Sequence, residues 1–296
     1  MNCFAMRAGV MALTFGGYAF VCSAPGWAGD WPGWRGPTGL GYTDEKDLPL
    51  TWNGKTGRNI LWKALLHGGG KNNPEFSSPG WSSPIVWRDR VFLTTSVWPA
   101  GLTEKERRQS IAAHHVLCFR ASDGRPLWDI VVPSGPCLVD NFYHGYTVPT
   151  PVTDGRHVFA LFGSGVLAAL DFDGKIVWRQ ELPRLKDVDG GVCSSPILYN
   201  DTVIIVGIAK SGLRALAKET GQMKWEQQTR DQNRMATPAL IAVGGRTQLI
   251  HYAGGIQGLE PATGELLWFC RGVTSSQSSP VFGSGLLYTE IGRAHV

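Results

Sequence analysis

Short apolar runs alternate with polar turns along most of the chain. The run 157–162, for example, follows the turn residues Asp154 and Gly155, and a second glycine turn separates it from the run 166–170. Short runs rich in β-branched and aromatic residues, bounded by turn residues, are typical of strands joined as hairpins. No stretch keeps the 3.6-residue periodicity of an amphipathic helix, so the pattern predicts an all-β fold without the crossover helices that parallel strands need.

The strands are grouped into repeating units that carry two marks each. A serine or threonine followed by proline opens the first strand, at spacings of 67, 45, 42 and 42 residues: Ser83–Pro84, Thr150–Pro151, Ser195–Pro196, Thr237–Pro238 and Ser279–Pro280. A glycine with a tryptophan four residues later opens the last strand: Gly124 and Trp128, Gly174 and Trp178, Gly221 and Trp225, and Gly264 and Trp268. Four-stranded antiparallel units of this length with a periodic aromatic residue predict a β-propeller. About five blades are visible, and we expect seven or eight in the full chain.

The tryptophans have a predicted structural role. One blade cannot bury its own apolar face, so we expect each indole to fill the space between adjacent blades, with the glycine forming the tight turn before it. Trp62, on a predicted strand Asn59–Lys63, belongs to a blade that the other end of the chain completes. The first unit carries an insertion from Val97 to about Ala113, in which Thr103 and Glu106 predict a capped short helix on one rim.

Both ends of the chain are set apart from the propeller, which we place at residues 30–290. Residues 1–29 have Arg7, an apolar run and small residues near Ala28, the arrangement of a secretory signal peptide. This predicts a periplasmic or secreted protein with no membrane span after cleavage. Residues 291–296 match a translated sequencing adapter, so we expect the natural chain to continue beyond an incomplete propeller.

Composition and charge exclude several classes of protein. The 38 glycines in 296 residues indicate a turn-rich fold, since ~7% glycine is usual. Without Arg7 and Arg293, 26 basic residues stand against 24 acidic ones. Such a balance gives no electrostatic surface for nucleic acid or an anionic membrane.

The repeat resembles that of a known family. The segment from Ala215 to Trp225 is similar to the Ala-x-Asp-x-x-Thr-Gly-x-x-x-Trp repeat of pyrroloquinoline-quinone-like (PQQ-like, quinoprotein-type) propellers, with Ala217 in place of the aspartate. The segment 258–268 also resembles it, and residues 30–37 are similar to the start of secreted bacterial PQQ-binding-like repeat proteins. The resemblance implies the propeller fold, which serves enzymes and also non-enzymatic proteins such as the BamB-like outer-membrane-assembly propellers.

An enzyme of this family would be an alcohol or sugar dehydrogenase that uses bound PQQ and Ca²⁺, with an aspartate base and often a disulfide between adjacent cysteines. Asp140, Asn141, Asp187 and Asp189 are the visible oxygen ligands, but they lack EF-hand spacing, and the chain has no adjacent cysteines. These residues are better explained as solvated carboxylates in loops than as calcium ligands. The sequence therefore assigns no catalytic residue, metal ligand or cofactor.

Two further groups of residues remain open. Cys118, Cys137, Cys193 and Cys270 permit three disulfide pairings or buried free thiols. Asp140, Asn141, Tyr143 and His144 form a polar and aromatic loop that is the first candidate for binding a partner on a rim. We therefore expect an exported module that binds a protein or small ligand; the alternative is a PQQ- and Ca²⁺-dependent dehydrogenase whose site lies partly in the missing blades.

Overall fold

A computed structural model of the chain describes residues 29–66, 81–135, 146–182, 191–206, 211–228, 235–271 and 278–289. Apart from Gly29, the predicted signal peptide lies outside these ranges, as do the predicted adapter residues 291–296. From Ile85 onward the described residues form a succession of antiparallel strands joined by turns, as the alternating pattern predicts.

Four sheets of four strands follow one another along the chain, and each strand pairs with the next. The first sheet contains β1 (Ile85–Trp87), β2 (Arg90–Val97), β3 (Ala113–Arg120) and β4 (Pro126–Val132). The second contains β5 (Val152–Thr153), β6 (His157–Leu161), β7 (Val166–Asp171) and β8 (Ile176–Glu181). The third contains β9 (Ile197–Tyr199), β10 (Thr202–Val206), β11 (Ser211–Ala217) and β12 (Met223–Gln228). The fourth contains β13 (Ala239–Val243), β14 (Arg246–Tyr252), β15 (Ile256–Leu259) and β16 (Leu266–Cys270), and β17 (Val281–Gly283) pairs with β18 (Leu286–Tyr288) in a fifth sheet.

The sheets are arranged as blades around an axis. Their first strands lie side by side, since β1 contacts β5 and β5 contacts β9. The tryptophan-bearing fourth strands lie outermost and are the most exposed strand of each complete blade. This is the predicted β-propeller of four-stranded antiparallel blades; four blades are complete in the described residues, and the fifth has two strands there.

The two ends of the axis differ because consecutive strands run in opposite directions. The chain enters every first strand at one end, where the second and third strands are also linked; we call this end the loop face. The tight turns between first and second strands, and between third and fourth strands, lie at the other end, the turn face.

The insertion in the first blade lies on the loop face. It contains α1 (Glu104–Arg108), which follows Thr103. The Thr103 hydroxyl accepts a hydrogen bond from the Glu106 backbone N–H, and the Glu106 carboxylate accepts one from the Thr103 N–H, so the predicted capping box is confirmed. Across the described ranges α1 is the single helix, and it is not long and apolar enough to span a bilayer.

Each fourth-strand tryptophan faces a small residue on the third strand. Trp128 pairs with Cys118, Trp178 with Ala169, Trp225 with Ala215, and Trp268 with Gly258. A β-bulge follows immediately after the small residue in all four ladders. A bulge increases local twist and redirects a side chain, so the ladder both makes room for the indole and turns it toward the neighbouring blade.

One predicted strand is wrong. Asn59 lies in a turn, and residues 60–66 do not pair as a strand. A strand needs a neighbouring strand to hydrogen-bond with, and no described strand lies beside these residues. Trp62 and Leu66 nevertheless pack against an apolar cluster of the first blade that includes Val91 and Phe119.

Candidate functional site

The five predicted docking tryptophans occupy equivalent places in the fold. Each packs in a different apolar cluster on a blade face: Trp62, Trp128, Trp178, Trp225 and Trp268. The cluster around Trp178, for example, joins Phe159 of the second blade to Ile205 of the third, and the indole is 9% exposed. Four of these indoles therefore lie between successive sheets, and Trp62 covers one face of the first sheet. Burial of aromatic surface at such places is worth several kcal/mol.

The glycine that contacts each indole belongs to the next blade. A Cβ placed on Gly221 would lie 2.7 Å from the ring of Trp178, and one on Gly264 would lie 2.6 Å from the ring of Trp225. Gly174 has the same relation to Trp128, and Gly124 to Trp62. All four glycines have φ between 69° and 88°, a region that side chains disfavour. Each glycine thus makes the predicted turn and also leaves space for the preceding blade's indole.

Four of the indole nitrogens also donate hydrogen bonds to the blade that follows. Trp62 donates to the carbonyl of Ala121 at 2.7 Å, Trp128 to Phe172 at 2.8 Å, Trp178 to Lys218 at 2.7 Å and Trp225 to Pro261 at 3.2 Å. Every acceptor lies in the third-to-fourth-strand turn of the following blade. Trp268 differs and donates to Gln248 of its own blade.

A second set of inter-blade hydrogen bonds lies near the axis. The backbone N–H of Ser83 donates to the Thr150 hydroxyl, that of Thr150 to Ser195, that of Ser195 to Thr237 and that of Thr237 to Ser279, at 3.0 to 3.1 Å. We call this set the hydroxyl relay. Thr150, Ser195 and Thr237 thus link their strands to the blades on both sides, and Ser83 and Ser279 are the two ends of the relay. Sequence reasoning missed this role when it treated the motif as a strand opening.

The N-terminal residues 30–41, here called the strap, cross the inner strands. Trp31 exchanges backbone hydrogen bonds with Val86 at 2.8 and 2.9 Å, and the Thr153 N–H donates to the Pro32 carbonyl at 2.8 Å. The strap then passes along β9 and β13, where it encloses a cavity of about 290 Å³. Trp34 lines this cavity and also a second one of about 430 Å³, which we call the axial cavity. No repeat marks the strap, so its place on the axis had no signal in the sequence.

Three of the titratable groups buried in the blades have strongly shifted pKa values. His114 and Ser164 join the first two blades through a 2.7 Å hydrogen bond between Nε2 and the hydroxyl. Burial, with smaller effects from Arg179 and His115, lowers the pKa of His114 to about 3. Burial also lowers the pKa of His251 to about 3 and raises the pKa of the Cys118 thiol to about 12. These groups keep their uncharged forms at neutral pH and are enclosed by packing, which fits a structural role.

Several predicted site residues lie outside the described ranges. These are the candidate rim loop residues Asp140, Asn141, Tyr143 and His144, and also Asp187, Asp189 and Cys137. Of the other cysteines, Cys118 is buried and Cys270 is exposed, and both carry free thiols.

The described residues do not fit a calcium-bound quinone. Ca²⁺ takes 6 to 8 oxygen ligands, and carboxylates are prominent among them. The described residues that line the axial cavity supply hydroxyl, thiol, thioether, indole and isopropyl side chains and one guanidinium, and none of these residues carries a carboxylate or an amide side chain. Within the described ranges, no three His, Cys, Asp or Glu side chains converge as a metal site.

Comparison with known proteins identifies relatives of the same kind. A family model described as outer membrane protein assembly factor BamB matches residues 39–184 and 112–283. The outer membrane protein assembly factor BamB of Francisella salina is 25% identical over 193 residues, or 63% of this chain and 32% of that protein. The chain thus spans about a third of the length of this curated relative.

Solved structures similar to this chain include BamB and two dehydrogenases. The crystal structure of BamB from Moraxella catarrhalis has a TM-score of 0.45 and 16% identity, covering 71% of this chain and 54% of that chain. A europium-containing methanol dehydrogenase has a TM-score of 0.44 and 14% identity, covering 65% and 41%. The quinohemoprotein alcohol dehydrogenase of Comamonas testosteroni has a TM-score of 0.43 and 16% identity, covering 70% and 38%.

Proposed function

This chain belongs to the PQQ-like repeat family whose model is described as outer membrane protein assembly factor BamB, and we propose that it is an exported scaffold that binds a protein partner on one rim of the propeller. Export places it in the periplasm or outside the cell, with the predicted signal peptide removed. The curated relative's name describes a role in the assembly of outer membrane proteins, and the proposal gives this chain a role of that kind.

The observation that carries the proposal is the repetition of the same inter-blade contacts at every junction between complete blades. Indole–glycine contacts hold the blades together toward the outside, and the hydroxyl relay holds them at the axis. The buried histidines and the Cys118 thiol are enclosed in the same packing. Such a frame holds the strand ends on one face at fixed positions, which is what a binding module requires of its scaffold.

The loop face is the proposed binding rim. Trp81 leads into the first strand of the first blade on this face and is 62% exposed. An exposed tryptophan is a common anchor of protein interfaces because it buries a large area at a small entropic cost. The insertion that carries α1 extends the same rim.

Site-specific photocrosslinking in the native host tests the proposal. A photoreactive amino acid is placed in the full-length protein at Trp81 on the loop face, and at the exposed Arg88 on the turn face as a matched control. We expect one discrete crosslinked partner from position 81 and none from position 88, and a purified complex should form from the identified partner. Equal crosslinking from both faces, or failure of the purified proteins to associate, contradicts the proposal.

A dehydrogenase assay tests the alternative, an enzymatic role. PQQ and Ca²⁺ are added to the full-length protein, and dye reduction is followed with alcohols and sugars as substrates. We expect no turnover above that of free PQQ. Turnover that disappears on chelation of Ca²⁺ would replace the scaffold role by an enzymatic one.

A further inference from the structure

The fourth strands form the outer wall of the propeller, and each leaves one edge without a partner strand among the described residues. Such an edge presents backbone N–H and C=O groups that can pair with a strand of another chain, and soluble proteins commonly protect it with charged side chains. The residue after the repeat tryptophan provides this protection in the first three blades, where it is Asp129, Arg179 or Glu226. Each of these side chains forms an ion pair of 2.6 to 2.7 Å with a histidine or an oppositely charged residue of its own blade.

The fourth blade lacks this protection. Phe269 takes the place of the charged residue, and no residue of β16 carries a charge. Leu267 is 37% exposed and Phe269 is 42% exposed. An apolar strand edge that is both uncharged and exposed is open to pairing with another strand.

The exposure of Phe269 does not depend on the two-stranded fifth sheet. Trp268 packs with Phe282 of that sheet, and the residue that follows Trp268 points to the opposite face of the strand. The ladder partner of Phe269 is Gln257, whose side chain donates a 3.0 Å hydrogen bond to Gln227 of the third blade. Phe269 therefore lies on the side of the third blade, which is complete in the described residues.

The residues that flank β16 carry opposite charges at matching distances from its centre. Glu265 lies three residues before Trp268 and Arg271 three residues after it. Both side chains are exposed, and neither forms an ion pair with another described residue. An antiparallel pair of two β16 strands centred on Trp268 sets Glu265 of each copy opposite Arg271 of the other. The same register sets Leu267 opposite Phe269, an aromatic–aliphatic pair that stabilises a ladder.

We propose that two copies of this chain associate through their β16 edges, as an antiparallel pair with the two Trp268 residues opposite each other. The edge is complementary to itself in this register, as a two-fold interface requires. The four-stranded sheet of each fourth blade then continues into that of the other copy. One strand pair buries less than the ~1,200 Å² of a stable interface, so we expect a reversible dimer with a dissociation constant of about 1 to 100 µM.

This inference goes beyond the proposed scaffold role and does not depend on it. The β16 edge lies on the outer wall of the propeller, whereas the proposed binding rim is the loop face. Crosslinking to a partner at the rim and self-association at the wall are measured separately, so either can fail without the other.

Sedimentation velocity on the full-length protein, at concentrations from about 1 to 200 µM, tests the proposal. Phe269→Lys adds a charge to the β16 edge, and Val177→Lys adds the same charge to the edge of β8, at a residue that is 41% exposed, as a matched control. We expect the unchanged protein and V177K to shift from monomer to dimer as the concentration rises, and F269K to remain a monomer. A monomer at every concentration of the unchanged protein, or a dimer of F269K with unchanged affinity, would overturn the proposal.

Charge reversal tests the register. Glu265→Arg and Arg271→Glu each set two like-charged pairs opposite each other in the dimer, so we expect either change alone to weaken association about tenfold. The double variant exchanges the two charges and should recover the original affinity within about twofold. This recovery also shows that the substituted chain folds. Unchanged affinity in both single variants, or further weakening in the double variant, contradicts the pairing about Trp268.

Discussion

At the residue scale, the glycine of each repeat must adopt a positive φ and must also leave space for an indole. A matched pair of substitutions separates these two requirements. Gly221 and Gly245 both have positive φ, but a Cβ at Gly221 would meet Trp178 whereas one at Gly245 meets nothing within 4 Å. Both alanine variants should lose about 1 kcal/mol through backbone strain. Only Gly221→Ala should lose a further ~1 to 3 kcal/mol by overpacking against the indole. Urea titration measures both, and equal losses would show that the indole contact contributes nothing.

Two of the buried histidines, His114 and His251, predict a pH dependence of stability. Burial lowers the pKa of His114 and of His251 to about 3, so both side chains stay neutral in the folded protein above that pH. In the unfolded chain the pKa of each returns to 6.5, so below that pH each side chain takes up a proton on unfolding. The free energy of unfolding should therefore be level above that value and fall as the pH is lowered, by roughly 1.4 kcal/mol per pH unit for each histidine. Between about pH 6 and pH 4.5, His251→Gln should remove about half of this slope in urea titrations. An unchanged slope in that variant would contradict the burial of a neutral imidazole.

At the element scale, the sequence predicted the strands of the repeat units, but it predicted a strand at 59–63 that does not form and could not identify which residues meet across blades. The spacing of Gly221 and Trp225 lies within one unit, so it predicts the turn and the strand that follows it. It cannot show that Gly221 contacts Trp178 of the preceding unit, because that contact depends on how two sheets stack. The small residues opposite each tryptophan, such as Ala169 and Ala215, were a readable signal of a large side chain across the ladder.

The hydroxyl relay was also readable in part. A serine or threonine recurs before the proline that opens each repeat unit, although a strand opening needs only the proline, so the recurrence itself indicates a use for the hydroxyl. What the sequence could not supply is the identity of the donor, which lies a whole unit earlier in the chain, as with Ser195 and Thr237. The position of the strap could not be predicted from the sequence, since the strap contains no repeat and has no counterpart in the blades.

The relay predicts a specific cost when one hydroxyl is removed. Thr237→Val keeps the shape of the side chain but leaves the buried Ser195 N–H without an acceptor, which should cost about 1 to 3 kcal/mol in the free energy of unfolding. Thr237→Ser keeps the hydroxyl and is the control, with a loss near the ~0.8 kcal/mol of one buried methyl group. Amide hydrogen exchange at Ser195 should accelerate in T237V alone. Equal protection in both variants would mean that the relay is not a stabilising link.

At the scale of the whole molecule, the indole–glycine contacts and the hydroxyl relay connect each described blade to its immediate neighbours, while the strap crosses the inner strands of several blades. In such an array, stability is approximately the sum of the blades and the interfaces between them, so a weakened interface acts locally first. Two contacts per junction, the indole on the outside and the relay at the axis, fix the angle between blades better than either alone. The axial cavity depends on that angle because all five sheets contribute to its lining.

A double-mutant cycle tests most directly whether each repeat glycine receives the indole of the blade before it. Gly221→Ala is combined in turn with Trp178→Ala, on the preceding blade, and with Trp225→Ala, four residues away in its own repeat. We predict that the losses of unfolding free energy are non-additive by about 1 kcal/mol or more for Gly221 with Trp178, since contacting residues couple, and additive for Gly221 with Trp225. Additive losses with Trp178, or coupling with Trp225 alone, would contradict this arrangement of the blades.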